Sequence, residues 1–445
     1  MGDWMTFLIR SMRGLLSDPF SSEMWVVLFK FVPLILFLEL PYYLLVLAGL
    51  MKYILRKTEE TPERVPFYPS VSCVITCYSE GKDIQLTIRS LAEQIYPGKM
   101  EIIPVIDGSV QNKATYEAAL DMEEWVNALP NRVLKPLPKR QRGGRVSSLN
   151  AGYAVTTGDI IMVMDGDTSF DNDMVDKATR HFVDPNVACV SGCLRVRNWR
   201  VSLAAALQAV EYLVSIMASK TGLSEFNAVN NISGAFGIFR RTTLELIGGW
   251  DSGTAEDLDL TIRVKNYFNR EKKMRIIFDP EVMGHTDAPD TFKGFFKQRL
   301  RWDGDLFFLY FVKHFRSFAV HLIGWLNLIV MLVGGLFFQI ITPILLFFYT
   351  LLLFVVAPLR VVAAIFLIVY VFYLAVEVFF FFITLFFLSE RPKEDRHLIP
   401  LLPLMPVFAF FTRLWSAFAI MWEMTGRGHL DSSMAPWWVL KKTKF

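Results

Sequence analysis

Net charge is the first thing this sequence has little of. Its 445 residues carry 46 basic and 43 acidic side chains, a balance of +3. That excess is too small to hold a phosphate backbone, so nucleic acid is excluded as a partner. Cysteine is scarce too, at four residues. Cys73, Cys77, Cys189 and Cys193 lie in apolar, strand-like stretches, whereas zinc pairs favour turns and closer spacing. Buried, reduced thiols in a cytosolic domain are the expectation. The first residues lack the charged, apolar and small-residue layout of a cleaved signal peptide. "MGDWMT" fits the loose myristoylation pattern, a match that chance accounts for in a chain already spanning a membrane.

Apolar residues are plentiful, at 53%, with a mean hydropathy of +0.36. They are unevenly spread. Residues 60–300 have the mixed charge of a soluble domain, while 24–55 and 318–422 contain apolar runs long enough to cross a bilayer. This is the pattern of a membrane protein carrying one globular domain. Residues 4–16 place Trp4, Phe7, Leu8 and Leu15 at helical spacing, as in a helix lying in the interface. One kinked span follows at 31–54, and Arg56 and Lys57 put its end in the cytoplasm. Further spans are expected near 319–340, 342–357, 361–387 and 400–422. The first two form one apolar run of about 58 Å as helix, which a break near Gln339–Pro343 would divide. Five spans leave "KKTKF" cytoplasmic and put "SERPKEDRH", 389–397, outside despite Arg391, Lys393 and Arg396. Glu377 and Arg413 fall within spans; they would line a polar path, pair helix to helix, or sit nearer the surface. The expected divisions are 1–62, 63–293, 294–317 and 318–445.

Inside the soluble region, "SVSCVITCY", "MEIIPVIDGS" and "DIIMVMDGD" are apolar runs ending in polar turns, with helical periodicity between them. Such alternation predicts an α/β fold with a mostly parallel sheet covered on both faces. Ligands bind such sheets at the carboxyl ends of the strands, which makes Tyr78, Glu80, Asp107 and Asp165 candidates. Asp165 and Asp167 could hold Mg²⁺ or Mn²⁺ against a diphosphate, or form a capping turn. In "GTAEDLDLTIRV", Glu256 and Asp257 open a helical pattern. They suit a helix N-terminus or a carboxylate general base. In "KQRLRWDGDLFFLYFVKHF", one helix face carries Gln298, Arg301, Trp302 and Asp305. Those residues suit diphosphate and sugar binding, or an ordinary membrane-surface helix.

In order, these segments resemble the membrane-integrated processive glycosyltransferases of family 2, namely the cellulose, hyaluronan, chitin and poly-N-acetylglucosamine synthases. The resemblance rests on "VITCYSEGKDI", "VIDGS", "RGGRVSSLNAGY", "MDGD", "VNNISGAFGIFRR", "AEDLDLT", "HTDAPDTFKGFFKQRLRW" and the flanking spans. It departs from the family at Arg145, where Lys is usual, and at Ala255, where Thr is usual. The C-terminal Trp438 with "KKTKF" is a looser match.

The resemblance implies a GT-A, Rossmann-like domain inserted between transmembrane helices. Thr76, Tyr78, Glu80 and Asp107 would hold the uridine end of the donor, and Arg145 the diphosphate. Asp165 would touch the nucleotide and Asp167 the metal, Mg²⁺ or Mn²⁺. Asp257, beside Glu256, would be the base. Gln298 and Arg301 would bind diphosphate, and Trp302 would stack on the acceptor sugar. His285 would be a loop histidine within reach of the site or a metal ligand. The implied activity is inverting, processive polymerisation of a UDP-sugar in the plasma membrane. The donor would be UDP-N-acetylglucosamine, alone or with UDP-glucuronate alongside it, or UDP-glucose. Its partners would be the growing polysaccharide, the bilayer and a small accessory membrane subunit. The competing reading is a single transfer to a lipid-linked acceptor. On a helix, Asp303 and Asp305 point about 200° apart, so Asp305 is expected near Arg301 or the acceptor and Asp303 in solvent.

Overall fold

The computed structural model describes residues 35–59, 66–251, 254–356 and 358–426. The expected interface helix over 4–16, the myristoylation pattern and the Trp438 segment lie outside the described residues.

Nine strands form one sheet: β1 (Val71–Cys77), β2 (Met100–Asp107), β3 (Arg132–Leu134), β4 (Leu137–Lys139), β5 (Ile160–Asp165), β6 (Ser169–Phe170), β7 (Val187–Val196), β8 (Phe236–Arg240) and β9 (Arg275–Thr286). Their order is β3-β2-β1-β5-β8-β7-β9-β6, with β4 beside β2. β1, β2 and β5 are parallel, and nearly every residue in them is buried. A strand covered on both faces must be apolar along its whole length, which is how these runs read. Beyond β5 the sheet is mixed, because β8 enters antiparallel between β5 and β7. The four cysteines are free and buried among these strands, and burial pushes the Cys73 thiol up to about 12.

The helices that matter for the site are α1 (Leu40–Glu59), α2 (Ile84–Ala92), α3 (Gly144–Ala154), α4 (Leu203–Glu211), α5 (Ser219–Ser224), α6 (Glu256–Lys265) and α7 (Phe292–Phe308). α1 crosses α5 at its backbone. A Cβ added to Gly49 would lie 1.9 Å from the Gly222 carbonyl oxygen. Only glycine permits that approach. Beside the crossing, Lys52 Nζ donates to the Glu225 carbonyl at 3.0 Å and Arg56 pairs with the Glu225 carboxylate.

Four stretches among the described residues are long and apolar enough to cross a membrane: Phe37–Thr58, Trp325–Val355, Leu359–Leu388 and Pro392–Gly426. Five spans were expected. The two expected near 319–340 and 342–357 are one helix, α8 (Trp325–Val355). A π-helical stretch over Met331–Ile341 leads into Pro343. Its wider turns accommodate a ring that would otherwise strike the preceding carbonyls, so the proline does not break the helix. α9 (Leu359–Leu388) then returns.

With one crossing fewer, residues 389–397 lie on the same side as the sheet domain, not opposite it. The contacts are specific. Arg195 pairs with Asp395, Lys177 Nζ lies 3.1 Å from Glu390, and Arg391 lies 3.1 Å from Asp171. A 3₁₀ run through Pro400 and Pro403 leads into α10 (Met405–Gly426). α10 follows α7 in the same direction. Phe408 packs 5.0 Å from Phe295, and Trp415 Nε1 donates to the Phe296 carbonyl at 2.7 Å. Farther along, Ser416 Oγ donates to Asp303 at 2.6 Å.

Candidate active site

Parallel pairing brings the carboxyl ends of β1, β2 and β5 level, with Thr76 opposite Asp165. Into that edge comes Arg145, from the first turn of α3. Its Nη1 donates to Asp165 and, at 3.1 Å, to Thr76 Oγ1; its Nε donates to Glu256 at 2.5 Å; its Nη2 donates to the Gly234 carbonyl at 2.7 Å. Despite burial, the two carboxylates hold the guanidinium's pKa above its ordinary value. Arg145 thus ties the strand edge bearing Asp165 to the helix bearing Glu256 and Asp257. A lysine has one nitrogen and could not reach all four acceptors.

Asp107 is 4% exposed. Its carboxylate accepts from Lys139 Nζ at 2.8 Å, Gly143 N at 2.8 Å and Gly144 N at 2.7 Å. It therefore shapes the loop that delivers Arg145. The ring of Tyr78 is exposed and lies 4.2 Å beneath the Arg142 guanidinium, a flat arrangement at the expected nucleotide end.

Glu80 closes on the turn after β5. A Cβ at Gly166 would lie 3.0 Å from Glu80 Cδ, so a side chain there would push the Glu80 carboxylate aside by a few tenths of an ångström. Glu80 Oε2 is buried without a partner. Burial, and then the neighbouring Asp165 and Asp167 charges, raise the Glu80 pKa. Burial and Asp165 raise that of Asp167. Three carboxylates that repel one another, one with an orphaned oxygen, are a donor set suited to a hard divalent cation. Among the described residues, no group of three His, Cys, Asp or Glu is arranged to hold an ion alone. Diphosphate oxygens and water would have to complete the shell.

α6 starts from Ala255 in the left-handed region, with φ of 42°. Asp257 Oδ2 accepts from Asn231 Nδ2 and Gly234 N, each at 3.1 Å, and Oδ1 accepts from Leu258 N at 2.7 Å. Lys220 Nζ in turn donates to the Asn231 carbonyl at 2.9 Å. Burial brings the Lys220 pKa down to about 8, with Asp257 opposing. Asn231, Gly234 and Lys220 were not candidates from the sequence. "VNNISGAF" was visible as a motif, but its hold on Asp257 is tertiary.

On α7, the Gln298 Oε1 is buried without a partner, and Trp302 is 38% exposed. Burial pushes Asp305 up to about 7; Thr254 and Arg301 oppose the shift, while Glu423 and Glu256 add to it. Asp303 is not in solvent as expected. Because α10 packs on α7, its carboxylate accepts the Ser416 hydroxyl, and burial raises its pKa. His285 Nε2 lies 2.8 Å from Asp171 and close to Arg391, so its partners are these two side chains. Arg413 donates to the Phe338 carbonyl at 2.7 Å, a contact between α10 and α8, and Glu377 Oε1 is buried without a partner.

Comparison with known proteins agrees with this geometry. The family model described as glycosyltransferase like family 2 matches residues 69–304. The chain is 30% identical over 234 residues to poly-beta-1,6-N-acetyl-D-glucosamine synthase of Staphylococcus epidermidis, covering 52% of this chain and 53% of that one. It is 29% identical over 233 residues to the Staphylococcus aureus synthase of the same name. The chain spans about half the length of the curated relatives it matches. A mannosyltransferase from Pyrobaculum calidifontis, solved with GDP-Man and Mn²⁺, shares the fold with a TM-score of 0.51 at 18% identity, over 86% of this chain and 98% of that one.

Proposed function

Since the chain belongs to glycosyltransferase-like family 2, we propose that it is an inverting, processive synthase. It would join N-acetylglucosamine units from UDP-N-acetylglucosamine into a β-linked polysaccharide and carry the product across the membrane. One observation supports this most: a single guanidinium, Arg145, spans the strand-end carboxylate Asp165 and the helix-start carboxylate Glu256 beside Asp257. Donor and acceptor chemistry would therefore meet within one side chain's reach. The named relatives favour N-acetylglucosamine as the sugar.

In this reading Tyr78 and Thr76 flank the base end, with Asp107 fixing the loop behind them. Asp165 and Asp167, with Glu80 near, would hold Mg²⁺ or Mn²⁺, which when bound neutralises charge on the leaving diphosphate. Arg145, Gln298 and Arg301 would add donors to the same oxygens. Asp257, aimed by Asn231 and Gly234, would take the proton from the acceptor hydroxyl as that oxygen attacks the anomeric carbon from the face opposite the nucleotide. Trp302 would stack on the acceptor ring. The sheet domain would be cytoplasmic. Arg391, Lys393 and Arg396, on the domain's side of the membrane, support that orientation.

The deciding experiment incubates purified protein in bilayers with labelled UDP-sugars. A long, water-soluble polymer from UDP-N-acetylglucosamine is expected. A butanol-soluble product one sugar long would replace this reading with a single transfer to a lipid-linked acceptor. Asp257→Asn should lower incorporation by about 10²- to 10⁴-fold and leave nucleotide binding intact.

A further inference from the structure

Lys220 belongs to α5, the short helix whose Gly222 lies against Gly49 of α1. Its Nζ donates to the Asn231 carbonyl at 2.9 Å and lies 6.0 Å from the centre of the Phe278 ring. Asn231 in turn donates from Nδ2 to Asp257 Oδ2 at 3.1 Å. A single residue thus joins the ammonium to the carboxylate. The loop is also tied to α6: Ile232 N donates to Thr261 Oγ1 at 3.0 Å, and Thr261 Oγ1 donates to the Asp257 carbonyl at 2.7 Å. The charges around this pair come from three further groups. Glu256, next to Asp257 on α6, is taken by Arg145 of α3, which also donates to the Gly234 carbonyl. Cys193 of β7 lies near Lys220, and burial pushes its thiol up to about 12, so it stays neutral. Asp257 is the carboxylate whose charge acts on Lys220. Such an attraction is mutual, so the ammonium favours the ionised carboxylate.

We propose that Lys220 is a positioning residue for transfer: it pins Asn231, which aims Asp257, and its charge keeps the Asp257 carboxylate ionised and ready to accept a proton. Burial brings Lys220 down only to about 8, so the cation is present at neutral pH and below, where a carboxylate base is at risk of protonation. The backbone contact between Gly49 and Gly222 holds α5 in place two residues along from Lys220. The membrane anchor thereby supports the base through α5 and Asn231.

The inference rests on Asp257 acting as the base, so the test sets Asp257→Asn beside three variants of Lys220. Each full-length protein is placed in lipid nanodiscs, and incorporation from UDP-N-acetylglucosamine with Mn²⁺ is followed across pH. Lys220→Gln keeps a donor for the Asn231 carbonyl but loses the charge. The acid limb of its kcat profile should move up by about one pH unit, a roughly 10-fold slower rate at equal pH on that limb. Its KM for the donor should match wild type. Lys220→Met loses bond and charge together, and should add a plateau lowered by about 10-fold. Lys220→Arg keeps the charge and should return the limb to the wild-type position. Glu80 and Asp167 have no bond to Lys220 or Asn231, so a difference between limbs reports on Asp257. Calorimetry of UDP binding checks that each variant is folded; should Lys220→Met fail it, the glutamine and arginine variants still decide. An acid limb common to wild type and Lys220→Gln, with Asp257→Asn inactive, would reduce Lys220 to packing and overturn the proposal. So would a limb displaced equally by glutamine and arginine. Full transfer by Asp257→Asn would overturn the assignment of the base, and the proposal with it.

Discussion

Asp-Gly-Asp occurs twice, at 165–167 and 303–305, in unlike surroundings. The first closes a strand and turns at the mouth of the sheet. Asp165 keeps a side chain 32% exposed and faces Arg145, with Asp167 and Glu80 beside it. The second lies on α7, where the helical period separates the carboxylates. Asp303 turns to Ser416 of α10, and Asp305 turns to Thr254 and Arg301. The same letters make a cluster of neighbouring carboxylates in one place and two separate structural contacts in the other. Backbone period and packing, not residue spacing, decide whether two carboxylates can share a ligand.

The sharpest way to break this contrast is to exchange charge for amide at each position. Asp167→Asn should have the largest effect: loss of Mn²⁺-dependent UDP binding by calorimetry, and at least a ~100-fold fall in transfer. An unchanged nucleotide affinity would remove the first triplet from the metal site. Arg145→Lys keeps the charge but not the bridge. Loss of one charge-assisted bond, about 1.5–3 kcal/mol, should slow transfer by about 10- to 100-fold; wild-type rates would mean that the bridge is incidental.

Asp305→Asn should change pH behaviour more than rate. The folded pKa of Asp305 is about 7 and the unfolded value about 3.9. Between these values the folded state binds the extra proton, so wild-type stability falls as pH rises through that window. Thermal unfolding in detergent from pH 4 to 7 should show that decline, and the amide should lack it. A parallel pH profile for both proteins would place Asp305 in solvent. Asp303→Asn should have the smallest effect, a loss of about 1 kcal/mol from the α7–α10 contact with transfer nearly unchanged.

Much of this was legible in the sequence, because it depends on local pattern. Fully apolar runs marked β1, β2 and β5, and polar residues after them marked the site edge. Less legible were features set by distant partners. Asp107 was legible as a polar residue at a strand end, but its hold on Lys139 and on two glycine amides was not. Pro343 looked like a helix break, but a π-helical turn absorbs it, and that one difference reverses the side on which 389–397 lies. Arg391 and Asp395 then meet partners about 200 positions away in the chain, which no window of sequence could show. Asn231 is another such case, since its hold on Asp257 exists only once α6 is folded against its loop.

The glycine contact between α1 and α5 has a practical consequence. With Gly49 against Gly222, and Lys52 and Arg56 on Glu225, the anchor and the sheet domain share one packed seam. A recombinant fragment beginning near residue 66 would carry the bare half of that seam. It should aggregate or need detergent even though no spanning segment remains in its catalytic portion. The anchor is thus a structural subunit of the enzyme fold and not a detachable tether.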